Sequence, residues 1–391
     1  MATAKAPLDY ADRIVRVRQL MAAQNIDLLF LPPSAAMQYL TGLKRPHPTY
    51  GNVNYNGGWV HALLLGQKQG PVLSLPRMAT LFAQFPPDLE LAVLADTADP
   101  HLHLRKILGK FGSQLQKIAV EDRTWGLAVL ELRKLLPDAE IVSAGPLLTA
   151  LRRVKAPAEI ELMRQAASII DQTHAYVMTI LRPGLSYHEL AVEIDRKMVE
   201  LGAETQSFPT TLIPMAPGIG PGADPWSAGA DRSNGSPILV EGSSLSFDYG
   251  SVLDGYCNDF GRSVWIGEPP AEYLKVYDLV ISAQEQARVA MKAGSITGEA
   301  ANIVAREVIQ ESGYGPHFFH RLGHGIGLDV HEPCYLSEGD NTTLEAGMTF
   351  TIEPSIFIPD RFGARIEDVF VVTDQGAEPL NQYPRHLQVI S

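Results

Sequence analysis

The chain has 391 residues, of which 46% are hydrophobic, 19% charged and 8% aromatic, so it is long enough for two domains and a sizeable core. Its 44 acidic against 32 basic residues give a formal net charge of −12, which disfavours nucleic-acid binding because the phosphate backbone is also negative. The sequence has no run of about 18 uncharged apolar residues, so we expect no transmembrane helix and no membrane partner.

The N-terminus and the cysteine content indicate the compartment. No apolar core precedes Asp9 and Asp12, so we expect no signal peptide. The two cysteines, Cys257 and Cys334, allow at most one disulfide, and in a large acidic chain they are more typical of reduced thiols. We therefore expect a cytoplasmic protein, and its composition favours an enzyme.

The first 150 residues alternate helical and strand patterns. Residues 10–24 place apolar side chains at helical spacing, whereas residues 27–31 form a short apolar run that Pro32 and Pro33 end. Further strand patterns occupy residues 60–65 and 72–75, and further helical patterns occupy residues 102–115 and 127–136. This alternation predicts an α/β layer domain.

The pattern changes near residue 150. Pro157 is well placed to begin a long helix, and Ser186 with Glu189 has the spacing of a capping box that opens a second helix. We therefore predict two domains, residues 1–153 and residues 154–391, in a chain of mixed α/β (α+β) class.

A stretch rich in proline and glycine interrupts the second domain. Residues 214–237 contain five prolines and five glycines, which cannot sustain a helix or a central strand. Long loops inside compact domains are usually functional or disordered. We interpret this one as an active-site loop rather than a merely mobile one, because it leads directly into the segment described next.

A predicted β-hairpin carries two aspartates. Asp254-Gly255 is a strong signal for a type I′ turn. The resulting register places Asp259 opposite Gly250, two residues from Asp248, so both aspartates lie on one face of the sheet. The pair has two interpretations: solvated surface acids, or carboxylates that a cation holds together against their mutual repulsion.

Two glutamates repeat this arrangement near the C-terminus. Glu353 ends one predicted strand, and Glu367 lies on a second strand predicted over residues 364–372. A loop rich in Pro, Asp and Gly joins the two strands. We therefore expect Glu353 and Glu367 to converge as the two aspartates do.

His324 lies between the two carboxylate pairs. Gly323, Gly325 and Gly327 flank it and allow backbone and side chain to approach a ligand closely. A single histidine in such a loop is usually structural. Four carboxylates, however, carry a charge of about −4, which two divalent cations would balance. The combination leads to the hypothesis of a two-metal hydrolytic site.

Other generic catalytic motifs are absent from the sequence. It contains no G-x-x-x-x-G-K-[ST], no G-x-S-x-G and no clean G-x-G-x-x-G, and His331-Glu332 does not continue as H-E-x-x-H. The carboxylates and the histidine are therefore the residues that carry the predicted chemistry.

At these residues the chain resembles the metallopeptidase family with the pita-bread fold, which contains methionine aminopeptidase, aminopeptidase P, prolidase and creatinase. The resemblance covers essentially the whole chain. Residues 1 to about 150, including Tyr39-Leu-Thr-Gly42, resemble the creatinase-type N-terminal domain, and the remainder resembles the catalytic half. Glu353-Pro354 and Arg365-Ile-Glu-Asp368 are typical of the proline-peptidase branch.

The resemblance implies a set of ligands and a role for each. Asp248 would bind one metal ion, Asp259 and Glu367 would bridge both ions, and His324 and Glu353 would complete the second. Glu353 would also act as the general base for the nucleophilic water. Oxygen-rich ligation suits manganese, iron or cobalt at least as well as zinc. By analogy with the family, the chain would form a homodimer.

Two further residues gain a role from the resemblance. His331 matches a family histidine that contacts substrate and stabilises the tetrahedral intermediate, and the alternative is a hydrogen-bonded structural histidine. Arg365 matches an arginine beside the metals that pairs with a carboxylate, and the alternative is a purely structural ion pair. We assign both to catalysis and substrate binding, and Glu353 to catalysis.

The chain departs from the family at one position. Proline-specific members carry a histidine shortly before the first metal-binding aspartate, but here no histidine lies between His188 and His317. The matching neighbourhood contains Trp226, Ser227 and Asp231. Tryptophan cannot shuttle a proton as imidazole does, but it can stack over a ring or a cation. We therefore predict that Trp226 binds substrate.

The sequence thus predicts a dinuclear-metal-dependent hydrolase, specifically an Xaa-Pro dipeptidase or aminopeptidase in which a metal-bound hydroxide attacks the carbonyl while Glu353 manages the proton. The alternative keeps the metal site but acts on a small non-peptide substrate, as a C–N amidohydrolase or a C–S lyase, because the family histidine is missing. A third class, a binding module without activity, is disfavoured by the intact ligand set.

Overall fold

The structure is a computed structural model, and it describes residues 8–44, 57–81, 84–112, 114–217 and 238–391. The chain divides into two compact units, one ending at Arg152 and one over Arg153–Ser391. Among the described residues, no helix combines the length and the apolar character that a bilayer span requires. Both cysteines are buried, and neither forms a disulfide in the described structure.

The N-terminal unit is a mixed six-stranded sheet with helices. Its helices are α1 (Tyr10–Ala23), α2 (Ala35–Thr41), α3 (Pro100–Leu108), α4 (Gly126–Leu135) and α5 (Gly145–Arg152). Its strands are β1 (Leu28–Leu31), β2 (Ala62–Gly66), β3 (Val72–Pro76), β4 (Glu90–Leu94), β5 (Lys117–Val120) and β6 (Glu140–Ser143). The strand order is β4-β3-β2-β1-β5-β6, with β1 antiparallel to β2 and parallel to β5. The predicted α/β layer is confirmed.

Local sequence explains these elements. Every residue of β1 is fully buried, as its uninterrupted apolar run predicts for a central strand. The helix predicted over residues 102–115 is wrong in length, because α3 ends at Leu108 and continues only as a 3₁₀ turn over Gly109–Phe111. Glycine at 109 and 112 accounts for this early end, since glycine is a poor helix former.

The C-terminal unit contains two pairs of long helices and several small sheets. Its helices are α6 (Pro157–Ile180), α7 (Tyr187–Glu200), α8 (Ala271–Ala290) and α9 (Gly298–Glu311). Its strands are β7 (Thr205–Gln206), β8 (Thr211–Met215), β9 (Ser243–Tyr249), β10 (Ser251–Leu253), β11 (Tyr256–Cys257), β12 (Phe260–Ile266), β13 (Gly323–Gly325), β14 (Glu332–Leu336), β15 (Thr349–Ile352), β16 (Ser355–Ile358), β17 (Phe362–Arg365), β18 (Asp368–Thr373), β19 (Gly376–Pro379) and β20 (Gln388–Ile390). Ser186 and Glu189 form the predicted capping box of α7.

Two sheets of this unit position the site. One has the order β20-β12-β9-β8 and the other the order β14-β13-β15-β18-β19. Helices α6 and α7 pack apolar side chains against the first sheet, and α8 and α9 pack against the second. A bridge between Gly261 and Glu367 joins the two sheets.

The predicted loop 214–237 begins later than expected. Pro214 lies within β8, which is the edge strand of its sheet, the kind of strand that tolerates proline. The remainder of the prediction, including Trp226, Ser227 and Asp231, falls on residues 218–237, outside the described residues.

Candidate metal centre

The first hairpin has the predicted turn and register. Asp254 and Gly255 have φ angles of 48° and 82°, as a type I′ turn requires. Leu253 pairs with Tyr256, and in the same register Asp248 pairs with Gly261. Asp259, one residue before β12, therefore lies opposite Gly250. An added Cβ at Gly250 would lie 1.9 Å from the carbonyl oxygen of Asn258, so the close approach of these strands requires glycine.

The second hairpin places the two glutamates opposite each other. Ile352 pairs with Asp368 and Ser355 pairs with Arg365, so Glu353 and Glu367 are expected to face each other between these two pairs. The prediction of one continuous strand over residues 364–372 is wrong, because the chain forms β17 and β18 with residues 366 and 367 between them.

The interruption has a clear hydrogen-bonding cause. Pro354 has no N–H to donate across the hairpin. Instead, the backbone N–H of Glu353 donates to the carbonyl oxygen of Leu322 at 2.8 Å, and that of Glu367 donates to Gly261 at 2.9 Å. Both glutamates are thus tied to neighbouring segments at the point where the hairpin opens. The second pair of carboxylates is thereby brought to the first.

Strand β13 delivers His324 to the same place. Its Nε2 lies 3.5 Å from Oδ2 of Asp259 and 3.5 Å from Oε1 of Glu353. Its Nδ1 lies 3.1 Å from the carbonyl oxygen of Gly325. A hydrogen bond there requires the proton on Nδ1, which leaves the lone pair of Nε2 directed at the carboxylates.

The glycines around His324 have a packing role. An added Cβ at Gly323 would lie 2.0 Å from the carbonyl oxygen of Thr351, and one at Gly325 would lie 2.7 Å from that of Glu332. At these two positions glycine therefore allows neighbouring strands to approach, and the close approach to a ligand stays a prediction.

The resulting cluster has the composition of a metal site. Single ligand atoms of Asp259, His324 and Glu367 all lie within 4.8 Å of one another, and all three residues are buried. Glu353 adjoins this group through His324. Asp248 also lies near, but in the described structure its Oδ2 forms an ion pair with Nη1 of Arg365.

Burial dominates the electrostatics of the carboxylates. It raises the pKa of Asp259 and Glu367 well above the ordinary values, and the charge of Asp248 adds to both shifts. Burial likewise raises the pKa of Glu353 to about 7, against the opposing charge of Arg365. Burial lowers the pKa of His324, which keeps its imidazole neutral as metal ligation requires.

The oxygens in the cluster fit bound cations. Oδ1 of Asp259 and Oε2 of Glu367 are buried and have no hydrogen-bond partner among the described residues. An isolated buried carboxylate is strongly unfavourable unless it is paired or binds a metal. Arg365 balances one negative charge of the four carboxylates. The donor set therefore fits divalent cations, which oxygen and imidazole ligands bind.

The other predicted residues lie around this cluster. The ring of His331 packs edge-on against that of His324, with centroids 4.0 Å apart. Arg365 contacts Asp248, and burial would lower its pKa, but the charges of Asp248, Glu353 and Glu367 raise it. Trp226 lies outside the described residues.

Sequence reasoning missed His320 and Thr351. His320 is held by Ser355, the residue after Glu353-Pro354, and burial lowers its pKa to about 3, with the charge of Arg365 adding to the shift. Thr351 donates from Oγ1 to Glu353 at 3.2 Å and accepts from the backbone N–H of His324 at 3.1 Å. The spacing of four residues between His320 and His324 gave no signal, because this segment is not helical.

Two family models and a curated relative match most of the chain. Residues 161–374 match the model of metallopeptidase family M24, and residues 13–154 match that of the creatinase/prolidase N-terminal domain. The probable dipeptidase PepE of Mycobacterium tuberculosis is 34% identical over 387 residues, which cover 97% of this chain and 96% of that protein.

Solved structures share the whole architecture. A prolidase from Thermococcus sibiricus has a TM-score of 0.87 at 28% identity, covering 98% of this chain and 100% of its own. An Xaa-Pro dipeptidase from Bacillus anthracis has a TM-score of 0.80 at 27% identity, with coverage of 98% and 100%. The chain therefore belongs to metallopeptidase family M24, joins a creatinase-like N-terminal domain to the pita-bread domain of that family, and is a metallohydrolase.

Proposed function

We propose that the chain is a dinuclear metal-dependent Xaa-Pro dipeptidase or aminopeptidase. The observation that carries the proposal is the pair of buried carboxylate oxygens on Asp259 and Glu367 that have no hydrogen-bond partner among the described residues, beside Nε2 of His324. In this proposal Asp248, Asp259, His324, Glu353 and Glu367 would hold the two cations, with the roles that the family resemblance implies. Asp248 would exchange part of its contact with Arg365 for the metal.

The chemistry of the bound pair is that of a Lewis acid, which polarises a substrate carbonyl and lowers the pKa of a water molecule. Glu353 is the proton acceptor and donor of the proposed reaction. Burial raises the pKa of Glu353 to about 7 in the metal-free protein, and a bound cation would lower this pKa, because a nearby positive charge favours the carboxylate form. Thr351 holds the Oε1 atom of this carboxylate, which restricts its orientation.

The cationic and neutral side chains around the cluster would bind substrate. Arg365 is permanently charged and lies against Asp248, which supports a role in holding a substrate carboxylate or the aspartate proposed to bind metal. His331 is exposed and packs on His324, which supports a role in donating a hydrogen bond to a substrate carbonyl. We keep Trp226 as a substrate-binding prediction.

The names of the relatives support the substrate class. A prolidase and an Xaa-Pro dipeptidase match along nearly the whole chain, and the mycobacterial relative is called a probable dipeptidase. The missing family histidine remains the reason to test small amides and sulfonium compounds as alternative substrates. A homodimer, a cytoplasmic location and the domain boundary at 153/154 also remain proposals.

The deciding experiment is a substrate panel with defined metals. The metal-free protein is loaded with manganese, iron, cobalt or zinc and assayed on Xaa-Pro dipeptides, on matched dipeptides without proline, and on the small amides and sulfonium compounds. We expect hydrolysis of Xaa-Pro dipeptides, loss of activity in Asp259→Asn, and retention in Glu378→Gln, an exposed acid of β19. Turnover confined to the non-peptide compounds would replace the peptidase proposal with the alternative.

A further inference from the structure

A second set of buried charges lies behind the proposed metal ligands. Arg262, on β12, and Asp368, the first residue of β18, are 2% and 1% exposed. Nη2 of Arg262 lies 2.7 Å from Oδ1 of Asp368. Neither residue belongs to the proposed ligand set. Because burial of two charges costs desolvation free energy, this ion pair needs an explanation.

The guanidinium of Arg262 uses its donors on backbone oxygens as well as on Asp368. Nη1 donates to the carbonyl oxygens of Gly261 at 2.8 Å and Glu367 at 2.9 Å. Nη2 also donates to Tyr383 at 3.0 Å, and Nε donates to Pro384 at 3.2 Å. An arginine presents five N–H donors in a rigid fork, so these contacts hold several chain segments in one fixed arrangement.

The other oxygen of Asp368 is held by two further side chains. Oδ2 accepts from Nε2 of Gln284 at 3.2 Å and faces Nε of Arg385 at 3.3 Å. Gln284 lies on α8 and is fully buried. Its Nε2 also donates to the carbonyl oxygen of Ile352 at 2.9 Å and lies 3.4 Å from that of Ile366.

These backbone contacts fall at the proposed ligands or beside them. Ile352 immediately precedes Glu353, and Ile366 immediately precedes Glu367, whose own carbonyl oxygen Arg262 binds. Gly261 follows Asp259 by two residues and forms the bridge to Glu367. The network therefore contacts the backbone of each segment that carries Asp259, Glu353 or Glu367.

We propose that Arg262, Asp368 and Gln284 are positioning residues that hold these three carboxylates in metal-binding geometry. The proposal rests on the proposed function of the site. Stability alone is a weak reason for the pair, because a buried ion pair contributes little net stability compared with apolar side chains of the same volume. Groups that orient metal ligands, in contrast, typically change metal affinity by about 10- to 100-fold when they are replaced.

The test measures Co²⁺ binding rather than activity. Metal-free wild type, Asp368→Asn and Gln284→Met are titrated with Co²⁺ alone, and affinity and the visible absorption bands of the ion are recorded, since those bands report coordination geometry. Both substitutions preserve side-chain volume. Ile309→Ala, in the buried core on α9, is the control for a general loss of stability, because it creates a cavity without touching the network.

We expect Asp368→Asn and Gln284→Met to bind Co²⁺ about 10- to 100-fold more weakly than wild type and to shift its bands, while Ile309→Ala does neither. The positioning role is overturned if both variants bind within twofold of wild type with unchanged bands, or if Ile309→Ala weakens binding equally. If Asp368→Asn does not fold, Gln284→Met decides by the same criteria. Glu367→Gln separates the two proposals. If this variant binds Co²⁺ with the affinity and absorption bands of wild type, the metal site itself is refuted.

Discussion

Gly261 and Glu367 exchange two backbone hydrogen bonds, from the N–H of Gly261 to the oxygen of Glu367 at 3.2 Å and from the N–H of Glu367 to the oxygen of Gly261 at 2.9 Å. This bridge is the point at which the aspartate hairpin meets the glutamate hairpin. An added Cβ at Gly261 would lie 3.0 Å from both Cβ and Oε2 of Glu367. The absence of a side chain at 261 therefore sets the position of a proposed metal ligand.

Gly261→Ala is expected to weaken metal binding more than it weakens the fold. The new methyl group must displace the Glu367 side chain by a few tenths of an ångström, and we expect about a tenfold loss of metal affinity with about 1 kcal/mol lost from the free energy of unfolding. Isothermal titration and urea denaturation measure the two quantities. Gly109→Ala, where an added Cβ meets nothing within 4 Å, is the control, and unchanged metal affinity in Gly261→Ala would contradict the prediction.

Glu367→Gln is expected to have opposite effects on the metal-free and the metal-loaded protein. Without metal, the change removes one of several buried carboxylates that repel each other, so the free energy of unfolding at pH 8 should rise by about 1–3 kcal/mol. With metal, the same change removes a proposed ligand and should lower stability and abolish activity. Thermal unfolding with chelator and with saturating metal separates the two. If metal-free Glu367→Gln is less stable than metal-free wild type, repulsion between the buried carboxylates is not the cause.

The stability of the metal-free protein is expected to depend on pH through Glu353. Burial raises its pKa from 4.5 to about 7, so the folded protein keeps a proton that the unfolded chain has released. The contribution of Glu353 to the free energy of unfolding is therefore fully present below about pH 4.5 and is lost as the pH rises through about 7. Denaturation of wild type and Glu353→Gln between pH 4.5 and 8 measures this contribution, since the difference between their free energies of unfolding should grow with pH. A constant difference would contradict the prediction.

A second buried ion pair supports the segment that carries His331. Nζ of Lys155 lies 3.0 Å from Oε2 of Glu332, with side chains 3% and 5% exposed. Lys155→Met should lower the free energy of unfolding by about 3–5 kcal/mol, because it leaves Glu332 charged and buried. Lys155→Met/Glu332→Gln should recover part of that loss.

Urea denaturation of the single and double variants measures this coupling. Arg196→Ala, which breaks an exposed ion pair with Glu200, is the control and should change stability by less than about 1 kcal/mol. A double variant less stable than Lys155→Met would show that the buried charge is not the cause.

Local patterns predict much of this protein. The capping box of Ser186 and Glu189 and the Asp254-Gly255 turn each depend on residues close together in the chain. Since a type I′ turn sets the register of the strands on both sides, the turn alone was sufficient to place Asp248 and Asp259 near each other. Contacts of this range can be derived from the sequence.

The contacts between the hairpins could not be derived in that way. The break between β17 and β18 arises because Glu367 pairs with Gly261, more than 100 residues earlier. The pattern of residues 364–372 alone cannot predict so distant a partner. The ion pair of Arg262 with Asp368 and the packing of Gly323 against Thr351 have the same origin. The sequence by itself determined which residues are candidates for the chemistry and the turn that brings the two aspartates together. Only the tertiary structure decided how they converge, because that depends on backbone groups and buried charges from distant segments that satisfy one another once water is excluded.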